Sequence, residues 1–374
     1  MPAPAGLALL PALLLAPWLM PTQMDAGRTS DRTPLWEKTE RTVLTGFVNM
    51  YNPHIIMEPG EAYPYRMWFF GWAAGDGNPG YSGCDAIFAA RGKTLDEWEV
   101  YCGGDQWDGT GDAKRWQPVV TAQDEPYDQW HNGDPTVVKH DGRYFMAYSS
   151  TGFDLDGKGS WEQGDTDGDL YCIMAAVSDD GLHWTKSERP ILIHEPEIGV
   201  MERPEDPGYV GQFQRPSLLW DEGRWRLWFD YWLPGQGVCM GHAECAGDPL
   251  SAAAWQLTHD LREPVLPQWP NPDVVRAGGR YYAFADPPVY PGGDVWTARQ
   301  VTEAVSDDGL DWQVLGYVAP DSDTPACHVP EALVQEADGR TWLTVFYACQ
   351  IGGEPYNYRY DRIRHMRRAL SREE

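Results

Sequence analysis

The sequence predicts an all-β fold, a five-bladed β-propeller with four antiparallel strands in each blade. The first observation behind this prediction is a hairpin segment that occurs five times and is clearest at His131–Ser150. There a short β-branched run, an Asp-Gly turn and an aromatic run follow a proline, which is typical of a β-hairpin. The second is a turn closed by Trp between these segments. The third is composition, since 13% aromatic residues with 39 Gly and 31 Pro suit short strands joined by tight turns.

A proline anchors each copy of the hairpin segment. Successive prolines are 82, 81, 56 and 58 residues apart, which is about the length of a propeller blade or slightly more, so two blades carry insertions. The five prolines are Pro53, Pro135, Pro216, Pro272 and Pro330.

The Trp-closed turn reads SDDGLHW at Ser178–Trp184 and SDDGLDW at Ser306–Trp312, with looser copies at Lys93–Trp98 and Pro249–Trp255. Asp side chains bond the amides of such a turn, Gly takes positive φ, and Trp covers the hairpin. Each turn follows one apolar strand and precedes another. Each unit therefore reads as strand, turn, strand, loop, strand, turn, strand.

The two ends of the chain have separate predictions. The run Thr42–Val48 is expected to pair with the last blade and close the ring, which removes exposed sheet edges. Tyr356–Met366 has the alternation of an edge strand, and Arg364–Arg372 is interpreted as a solvated basic tail.

Residues 1–26 are predicted to be a signal peptide, 27–46 a lead-in, and 47–370 a single propeller domain. Leu7–Leu19 is uncharged and apolar, and it is too short and too interrupted by proline to span a membrane. The expected location is therefore secreted or periplasmic. The alternative is a disordered or wrongly assigned N-terminus.

The formal net charge of −27 disfavours nucleic acid and anionic membrane surfaces as partners, and it is interpreted as a solubility feature. The seven cysteines are compatible with export. We expect bridges Cys84–Cys102 and Cys327–Cys349 across hairpins, with Cys239 close to Cys245 around a turn. The alternative is that these cysteines are buried free thiols.

Two insertions combine aromatic residues with Asp and Gly, at Gly103–Trp130 and Phe153–Asp169. Such loops suit sugars, which stack on rings and hydrogen-bond to carboxylates, although the same aromatics could simply pack the loops. The second insertion is also similar to a calcium loop, with a solvated acidic loop as the alternative. Its acids are Asp154, Asp156, Asp165, Asp167 and Asp169.

Polar residues flank the five anchoring prolines. In a propeller the first strand of every blade lines the central channel, so these residues are expected to gather at one mouth of that channel. Asn or Asp before proline also starts turns, which would explain some of them but not Arg215 or Glu331. The clusters are Asn52/His54, His131/Asp134, Gln214/Arg215, Asn271/Asp273 and His328/Glu331.

The D/N-P-x-Φ-Φ…D-G-x-Y-Y-x-x-Y repeats and the S-D-D-G-x-x-W turns resemble the five-bladed propeller glycosidases. These include glycoside hydrolase families 43, 32, 62 and 117 and the mannoside phosphorylases of family 130. The resemblance covers about Phe47 to Arg367 and implies that carboxylates from different blades cleave glycosidic bonds at the channel mouth. Asp134 matches the family's Asp-Pro position, and Asp273 and Glu331 match the position after the proline.

The sequence departs from that family at Asn52, where many relatives have Asp, and at Gln214-Arg215, where family 43 has Glu-Gly before the proline. The S-D-D-G-x-x-W turn is also similar to the sialidase Asp box. Sialidases have six blades and an arginine triad, whereas this sequence offers one obvious channel arginine, Arg215.

The expected function is a secreted glycoside hydrolase acting on a poly- or oligosaccharide. We assign Asp134 the ionised role and Glu331 the proton-donor role, because apolar neighbours should raise the pKa of Glu331. Asp273 would orient the sugar or tune Glu331, and Arg215 would hold a hydroxyl or carboxylate of the substrate. The residues expected to supply hydrogen bonds are Asn52, His54, His131, Gln214 and Asn271, with His328 beside Glu331.

Two alternatives stay open: a non-catalytic carbohydrate-binding propeller and a glycoside phosphorylase. We expect no cofactor and no metal at the active site, with a structural calcium ion as the open question noted above.

Overall fold

The computed structural model describes residues 36–39, 41–46, 50–71, 82–123, 127–128, 131–151, 171–193, 211–233, 235–287, 299–318, 327–349 and 362–371. These ranges hold twenty-three β-strands in five antiparallel sheets and no α-helix. The predicted signal peptide and the acidic loop proposed for calcium lie outside the described residues, as does much of the lead-in.

The first two strands belong to the last blade, and the strands of blade one follow them. β1 (Glu37–Lys38) and β2 (Leu44–Thr45) pair with a C-terminal strand. Blade one then follows in the order β3-β4-β5-β6-β7, with β8 on β5. Its strands are β3 (Met50–Met57), β4 (Tyr65–Gly71), β5 (Ser82–Thr94), β6 (Glu97–Tyr101), β7 (Trp107–Asp108) and β8 (Pro118–Ala122).

Blades two, three and four are four-stranded meanders. Blade two contains β9 (His131–His140), β10 (Arg143–Thr151), β11 (Tyr171–Ser178) and β12 (Thr185–Lys186). Blade three contains β13 (Gly211–Asp221), β14 (Arg224–Leu233), β15 (Gly237–Cys245) and β16 (Trp255–Leu257). Blade four contains β17 (Asp273–Ala277), β18 (Arg280–Ala285), β19 (Thr302–Ser306) and β20 (Gln313–Tyr317).

Blade five is built from both ends of the chain. β21 (Cys327–Ala337), β22 (Arg340–Cys349) and β23 (Arg362–Ala369) are completed by β1 and β2, so the predicted closure at Leu44–Thr45 is confirmed. The first strands β3, β9, β13, β17 and β21 each contact the first strands of both neighbouring blades. This closed ring around a central channel confirms the predicted five-bladed propeller.

The apolar core lies between the blades rather than in one central mass. Each interface between neighbouring sheets has its own buried cluster, because both faces of every sheet are covered. Phe69 of blade one packs with Phe346 of blade five, for example, and Phe229 of blade three packs with Ile173 of blade two.

Every residue directly before an anchoring proline has a left-handed backbone. Their φ values lie between 46° and 53°, although non-glycine residues rarely adopt this region. In four blades a register shift marks the same place, so the strand bulges there and redirects its side chains toward the mouth. The five residues are Asn52, Asp134, Arg215, Asn271 and Val329.

The Asp-rich turns connect third and fourth strands as predicted, and two of them also bind the preceding blade. Gly181 O of the turn in blade two accepts a hydrogen bond from Trp184 Nε1 at 3.2 Å and another from Trp68 Nε1 at 2.9 Å. Trp68 belongs to blade one, and Arg66 of the same strand donates to Asp180 O at 2.8 Å.

Blades three and four repeat this arrangement with the same residue types. Gly309 O accepts from Trp312 Nε1 at 3.1 Å and from Trp228 Nε1 at 2.8 Å, while Arg226 donates to Asp308 O at 2.8 Å. We call these two contacts the turn locks. In a meander blade the turn between strands three and four lies at the end opposite the channel mouth, so the turn locks and the mouth are at opposite faces.

The predicted disulfides are not formed, since Cys102, Cys327 and Cys349 are thiols. In blade one the register pairs Ala90 with Val100, which places Cys102 opposite Phe88 rather than opposite Cys84. In blade five Cys327 does lie opposite Cys349, and both are buried with apolar neighbours of the interface to blade four, where a thiol packs as a small apolar side chain.

The predicted solvated basic tail is wrong. Its first six residues belong to β23, which has a neighbouring strand on each side, so Arg364 and Arg368 are buried. Arg368 forms a buried ion pair with Glu303 of blade four at 2.6 Å.

In the first insertion, Trp116 is fully buried and packs in the core against Phe69, so packing rather than sugar contact explains this ring.

Candidate functional site

The bulged starts of the first strands bring the predicted site residues to the mouth in three groups. All three predicted acids are almost fully buried there. The first group contains Asp134, His131, Gln214 and Arg215; the second contains Glu331, His54, Asp273 and Asn52; the third contains Asn271 and His328.

Asp134 is held as an ionised carboxylate. Burial alone would raise its pKa, but Arg215, His131 and the Ser149 hydroxyl outweigh burial and hold the pKa below its ordinary value. His131 Nε2 lies 3.6 Å from Asp134 Oδ2. Among the described residues, the other oxygen, Oδ1, has no hydrogen-bond partner. The described part of the protein therefore leaves one oxygen of a buried carboxylate unsatisfied.

Glu331 is held in the opposite state. His54 Nε2 lies 2.9 Å from Val137 O, and because a carbonyl only accepts, Nε2 must carry the hydrogen. Burial lowers the pKa of His54 to about 4, so near neutral pH its Nδ1 bears a lone pair. This lone pair faces Glu331 Oε2 at 2.8 Å, which requires a proton on that oxygen.

The charges around Glu331 agree with that proton. Burial, together with the nearby Asp273 and Asp134, raises the pKa of Glu331 well above its ordinary value. The mouth therefore holds two carboxyl groups whose surroundings push their pKa values apart, which is the arrangement that acid–base chemistry needs.

Asp273 has both oxygens engaged by the fold. Oδ1 accepts from Ser217 Oγ at 2.8 Å and Oδ2 accepts from Ala332 N at 2.6 Å. Burial raises the pKa of Asp273 to about 6 against these bonds. Asp273 is thus ionised at neutral pH and acts on Glu331 through its charge.

Asp273 belongs to a belt that ties neighbouring blades together around the channel. The residue after each anchoring proline makes a hydrogen bond to the next blade, and in three blades it accepts from a backbone N–H. Those bonds are Thr136 Oγ1 from Leu218 N at 3.0 Å, Ser217 Oγ from Val274 N at 2.8 Å, and Asp273 Oδ2 from Ala332 N at 2.6 Å. His54 and Glu331 complete the belt through the contacts already described.

The third group fixes the mouth between blades four and five. Asp286 accepts hydrogen bonds from Asn271 Nδ2, from Arg299 Nη1 at 3.1 Å and from His328 Nδ1 at 2.7 Å. His54 therefore lies beside Glu331, where His328 was predicted. His328 orients Asp286 instead. Asn52 Nδ2 is likewise directed at the protein, donating to Pro135 O at 2.9 Å.

Three residues of the mouth were missed at the sequence level. Each accepts a hydrogen bond from the backbone N–H of the strained residue before the proline of the next blade. A signal was available, because each lies six residues after the Arg that begins the second strand of its blade. The bonds are Arg215 N to Ser149 Oγ at 2.7 Å, Asn271 N to Asp230 Oδ2 at 2.9 Å and Val329 N to Asp286 Oδ2 at 3.2 Å.

A metal ion would find one suitable trio among the described residues. His54, Asp273 and Glu331 bring one ligating atom each to within 4.8 Å of one another. An imidazole with two carboxylates suits a divalent transition metal, but a metal there would displace the proton that Glu331 shares with His54.

Solved structures of other proteins share this fold, and several of them are glycoside hydrolases. A thermostable family-43 glycoside hydrolase superposes with a TM-score of 0.56 at 14% identity, covering 88% of this chain and 96% of the other. A family 117 glycoside hydrolase from the marine bacterium Zobellia galactanivorans gives a TM-score of 0.55 at 15% identity, covering 90% and 91%.

A third similar structure does different chemistry. It is an N-acetylgalactosamine deacetylase from F. plautii, crystallised with blood group B trisaccharide, with a TM-score of 0.57, 12% identity and 90% and 96% coverage. No protein-family model matches the sequence, and no curated protein does. These similarities show the fold, so the reaction has to be argued from the site.

Proposed function

We propose that this protein hydrolyses glycosidic bonds of a poly- or oligosaccharide, with Asp134 as the ionised carboxylate and Glu331 as the proton donor. The observation that carries the proposal is a pair of buried carboxyl groups at one mouth, Asp134 beside His131 and Glu331 against the Nδ1 lone pair of His54, in surroundings that shift their pKa values in opposite directions. Glycoside hydrolysis needs this pair, because one group protonates the leaving oxygen while the other attacks the sugar or activates water.

The remaining residues support these two roles. His54 keeps its Nε2–H on Val137 O, so its Nδ1 holds the Glu331 proton until a glycosidic oxygen takes its place. Asp273 raises the proton affinity of Glu331 by its charge. Arg215 and His131 keep Asp134 ionised.

Two alternatives have different support. A non-catalytic carbohydrate-binding propeller is favoured by the belt, since Asp273 and Glu331 both have partners within the protein. A phosphorylase has less support, because Arg215 already interacts with Asp134 and Asp230, which would repel phosphate.

Export is part of the proposal and depends on the apolar segment Leu7–Leu19. The unbridged cysteines give export no further support. In the described part of the chain, no helix has the length and apolar character needed to cross a membrane.

The test is a panel of aryl glycosides and polysaccharides with wild type, Asp134→Asn and Glu331→Gln. Each variant is expected to lower kcat by about 10²–10⁴-fold on a substrate that wild type cleaves. Gly223→Ala, in an open turn at the opposite face, is the control and should keep wild-type kcat.

A folded Asp134→Asn or Glu331→Gln protein with near-wild-type kcat would remove that residue from the reaction. The same assay with a chelator distinguishes metal-dependent hydrolysis from the proposed reaction. Activity that is lost on chelation and restored by a divalent ion would assign Glu331 to the metal trio instead of the proton-donor role.

A further inference from the structure

A continuous band of rings runs along the mouth from blade five through blade one to blade two. Tyr51 lies 5.3 Å from the His328 ring and 4.3 Å from Phe70, measured between ring centroids. Phe70 lies 5.5 Å from His131, and His131 lies 5.5 Å from Tyr171. Within this band His328, Phe70 and His131 are buried, whereas Tyr51 and Tyr171 are partly exposed.

Both tyrosines lie near the same polar centre. Tyr51 and Tyr171 are close enough to Arg215 to act on its charge. Arg215 is tied to Asp134 through Ser149, whose hydroxyl oxygen accepts from Arg215 N at 2.7 Å while the hydroxyl donates to the Asp134 carboxylate. The aromatic band and the candidate catalytic carboxylate therefore belong to one site.

This polar centre has one unused acceptor and one unused donor. Across the described ranges, Asp134 Oδ1 and Arg215 Nε are buried without a hydrogen-bond partner. A buried polar atom without a partner is costly, so a ligand that satisfies it binds more tightly. A hydroxyl is the group that donates to a carboxylate oxygen and accepts from a guanidinium N–H at once.

The charge at this centre leaves no cation for an anionic ligand, because two carboxyl groups already surround the one arginine. Arg215 Nη1 lies 3.5 Å from Asp230 Oδ2 and 2.9 Å from Gln214 Oε1, and Asp134 is also nearby. An anionic sugar would therefore meet two acids for one arginine, and a desolvated anion without its own cation is strongly disfavoured.

We propose that the mouth binds an uncharged, hydroxyl-rich sugar ring, stacked on Tyr51 and Tyr171, with one hydroxyl placed between Asp134 Oδ1 and Arg215 Nε. This inference rests on the proposed function in taking the ligand to be a sugar. It adds the class of sugar and two residues that the sequence did not single out. Uronic acids and sulfated sugars are excluded from this subsite.

The experiment measures binding rather than turnover, so that it can fail separately from the proposed function. Glu331→Gln protein is titrated by calorimetry with methyl glucoside, methyl galactoside, methyl xyloside and methyl arabinofuranoside. The matched anionic probes are methyl glucuronide and methyl galacturonide, which differ from two of these only at the carboxylate. At least one neutral glycoside is expected to bind, and at least tenfold more tightly than its anionic counterpart where it has one.

The tyrosines are then tested on the best neutral probe. Tyr51→Ala and Tyr171→Ala should each weaken binding by about fivefold or more, since an aromatic contact contributes about 1 kcal/mol beyond its area. Tyr51→Phe and Tyr171→Phe should keep most of the affinity, because the ring face is what binds. Tyr63→Ala is the control, since Tyr63 is a partly exposed ring stacked on Arg91 in a different part of blade one.

Three results would overturn the inference: no neutral glycoside binds, an anionic probe binds as well as its neutral partner, or both alanine variants keep full affinity. If Tyr51→Ala does not fold because it loses Phe70, Tyr171→Ala alone decides the stacking claim. Neutral binding in a protein that cleaves no glycoside would support this inference and reject the proposed hydrolysis.

Discussion

The two faces of the propeller use similar residue types for different ends. In the turn locks an indole N–H and a guanidinium N–H of one blade donate to backbone carbonyls of the next blade, and the same Arg, Trp, Asp and Gly positions repeat between blades one and two and between blades three and four. At the mouth, five strained residues direct acids and one arginine into the channel, and Asp134 and Arg215 keep unpartnered atoms. A repeated contact built on buried indole rings indicates stability, whereas strained backbone beside an unsatisfied buried carboxylate oxygen indicates ligand binding.

The largest stability effect is expected at a turn lock. Trp228 is fully buried between blades three and four, so Trp228→Ala should lower the free energy of unfolding by about 3–5 kcal/mol. Trp228→Phe keeps most of the packing and loses only the bond to Gly309 O, at a cost of about 1 kcal/mol. Chemical denaturation measures both. Equal losses in the two variants would mean that packing contributes little at this lock.

Two glycine substitutions with smaller expected effects distinguish the cost of backbone strain from the cost of disturbing the contact between blades. Gly309 has φ 81° and a Cβ there would meet the Trp228 ring at 2.8 Å, whereas Gly223 has φ 80° and open space around it. Gly223→Ala should cost about 1–2 kcal/mol from the left-handed backbone alone. Gly309→Ala should cost about 1–3 kcal/mol more. Matching losses would show that the ring moves away freely and that the lock is loose.

The next substitution is at the mouth, and it is expected to raise the free energy of unfolding rather than lower it. Folded Glu331 keeps a proton that the unfolded chain releases above its ordinary pKa of 4.5, so this group costs stability as pH rises above that value. A Gln side chain needs no proton and still donates to His54 Nδ1. Glu331→Gln should therefore gain on wild type by about 1.4 kcal/mol per pH unit above pH 4.5, up to the raised pKa.

Glu58 provides the matched control. Burial alone would raise the pKa of Glu58, but hydrogen bonds from Lys139 and Tyr144 outweigh burial and hold this pKa below its ordinary value. The ionised carboxylate therefore stabilises the fold above pH 4.5, and this stabilisation is lost as pH falls. Glu58→Gln should accordingly be less stable than wild type at neutral pH. Denaturation curves between pH 4.5 and 8 test both variants. A Glu331→Gln protein that gains nothing over this range would contradict the assigned proton.

The smallest effect concerns the cysteines. Because the described thiols are unbridged and pack among apolar side chains, a reductant should leave Tm unchanged, and alkylation after unfolding without reductant should label all of them. A reductant-sensitive Tm would restore the predicted bridge between Cys327 and Cys349.

Much of this fold could be read from the sequence because its repeats are local. Proline, Asp-Gly and S-D-D-G-x-x-W patterns identify turns, and the five copies of the hairpin segment fix the number of blades. The predicted Cys84–Cys102 bridge was wrong because the register between two strands decides which residues lie opposite each other, and spacing along the chain does not give that register. The interpretation of Arg364–Arg372 failed because the N-terminal strands β1 and β2 cover that segment from far away in sequence.

The site was predictable in its residues but not in its contacts. The anchoring prolines led to Asp134, Arg215, Asp273 and Glu331 because first strands start at the mouth. Which histidine meets Glu331 depends on the side-chain directions that the bulges set, so His54 replaced His328. Asp230 and Asp286 were missed because the second strands were read as apolar hairpin arms.

The central claim is that, at neutral pH, Asp134 is ionised and Glu331 is protonated at the same mouth. Infrared difference spectroscopy tests this directly, because a protonated carboxyl group has a carbonyl band that a carboxylate lacks. At pH 7, we predict that Glu331→Gln loses one such band relative to wild type, whereas Asp134→Asn loses only carboxylate absorption. Two results would contradict the account: the protonated-acid band of wild type persists in Glu331→Gln, or it is lost in Asp134→Asn.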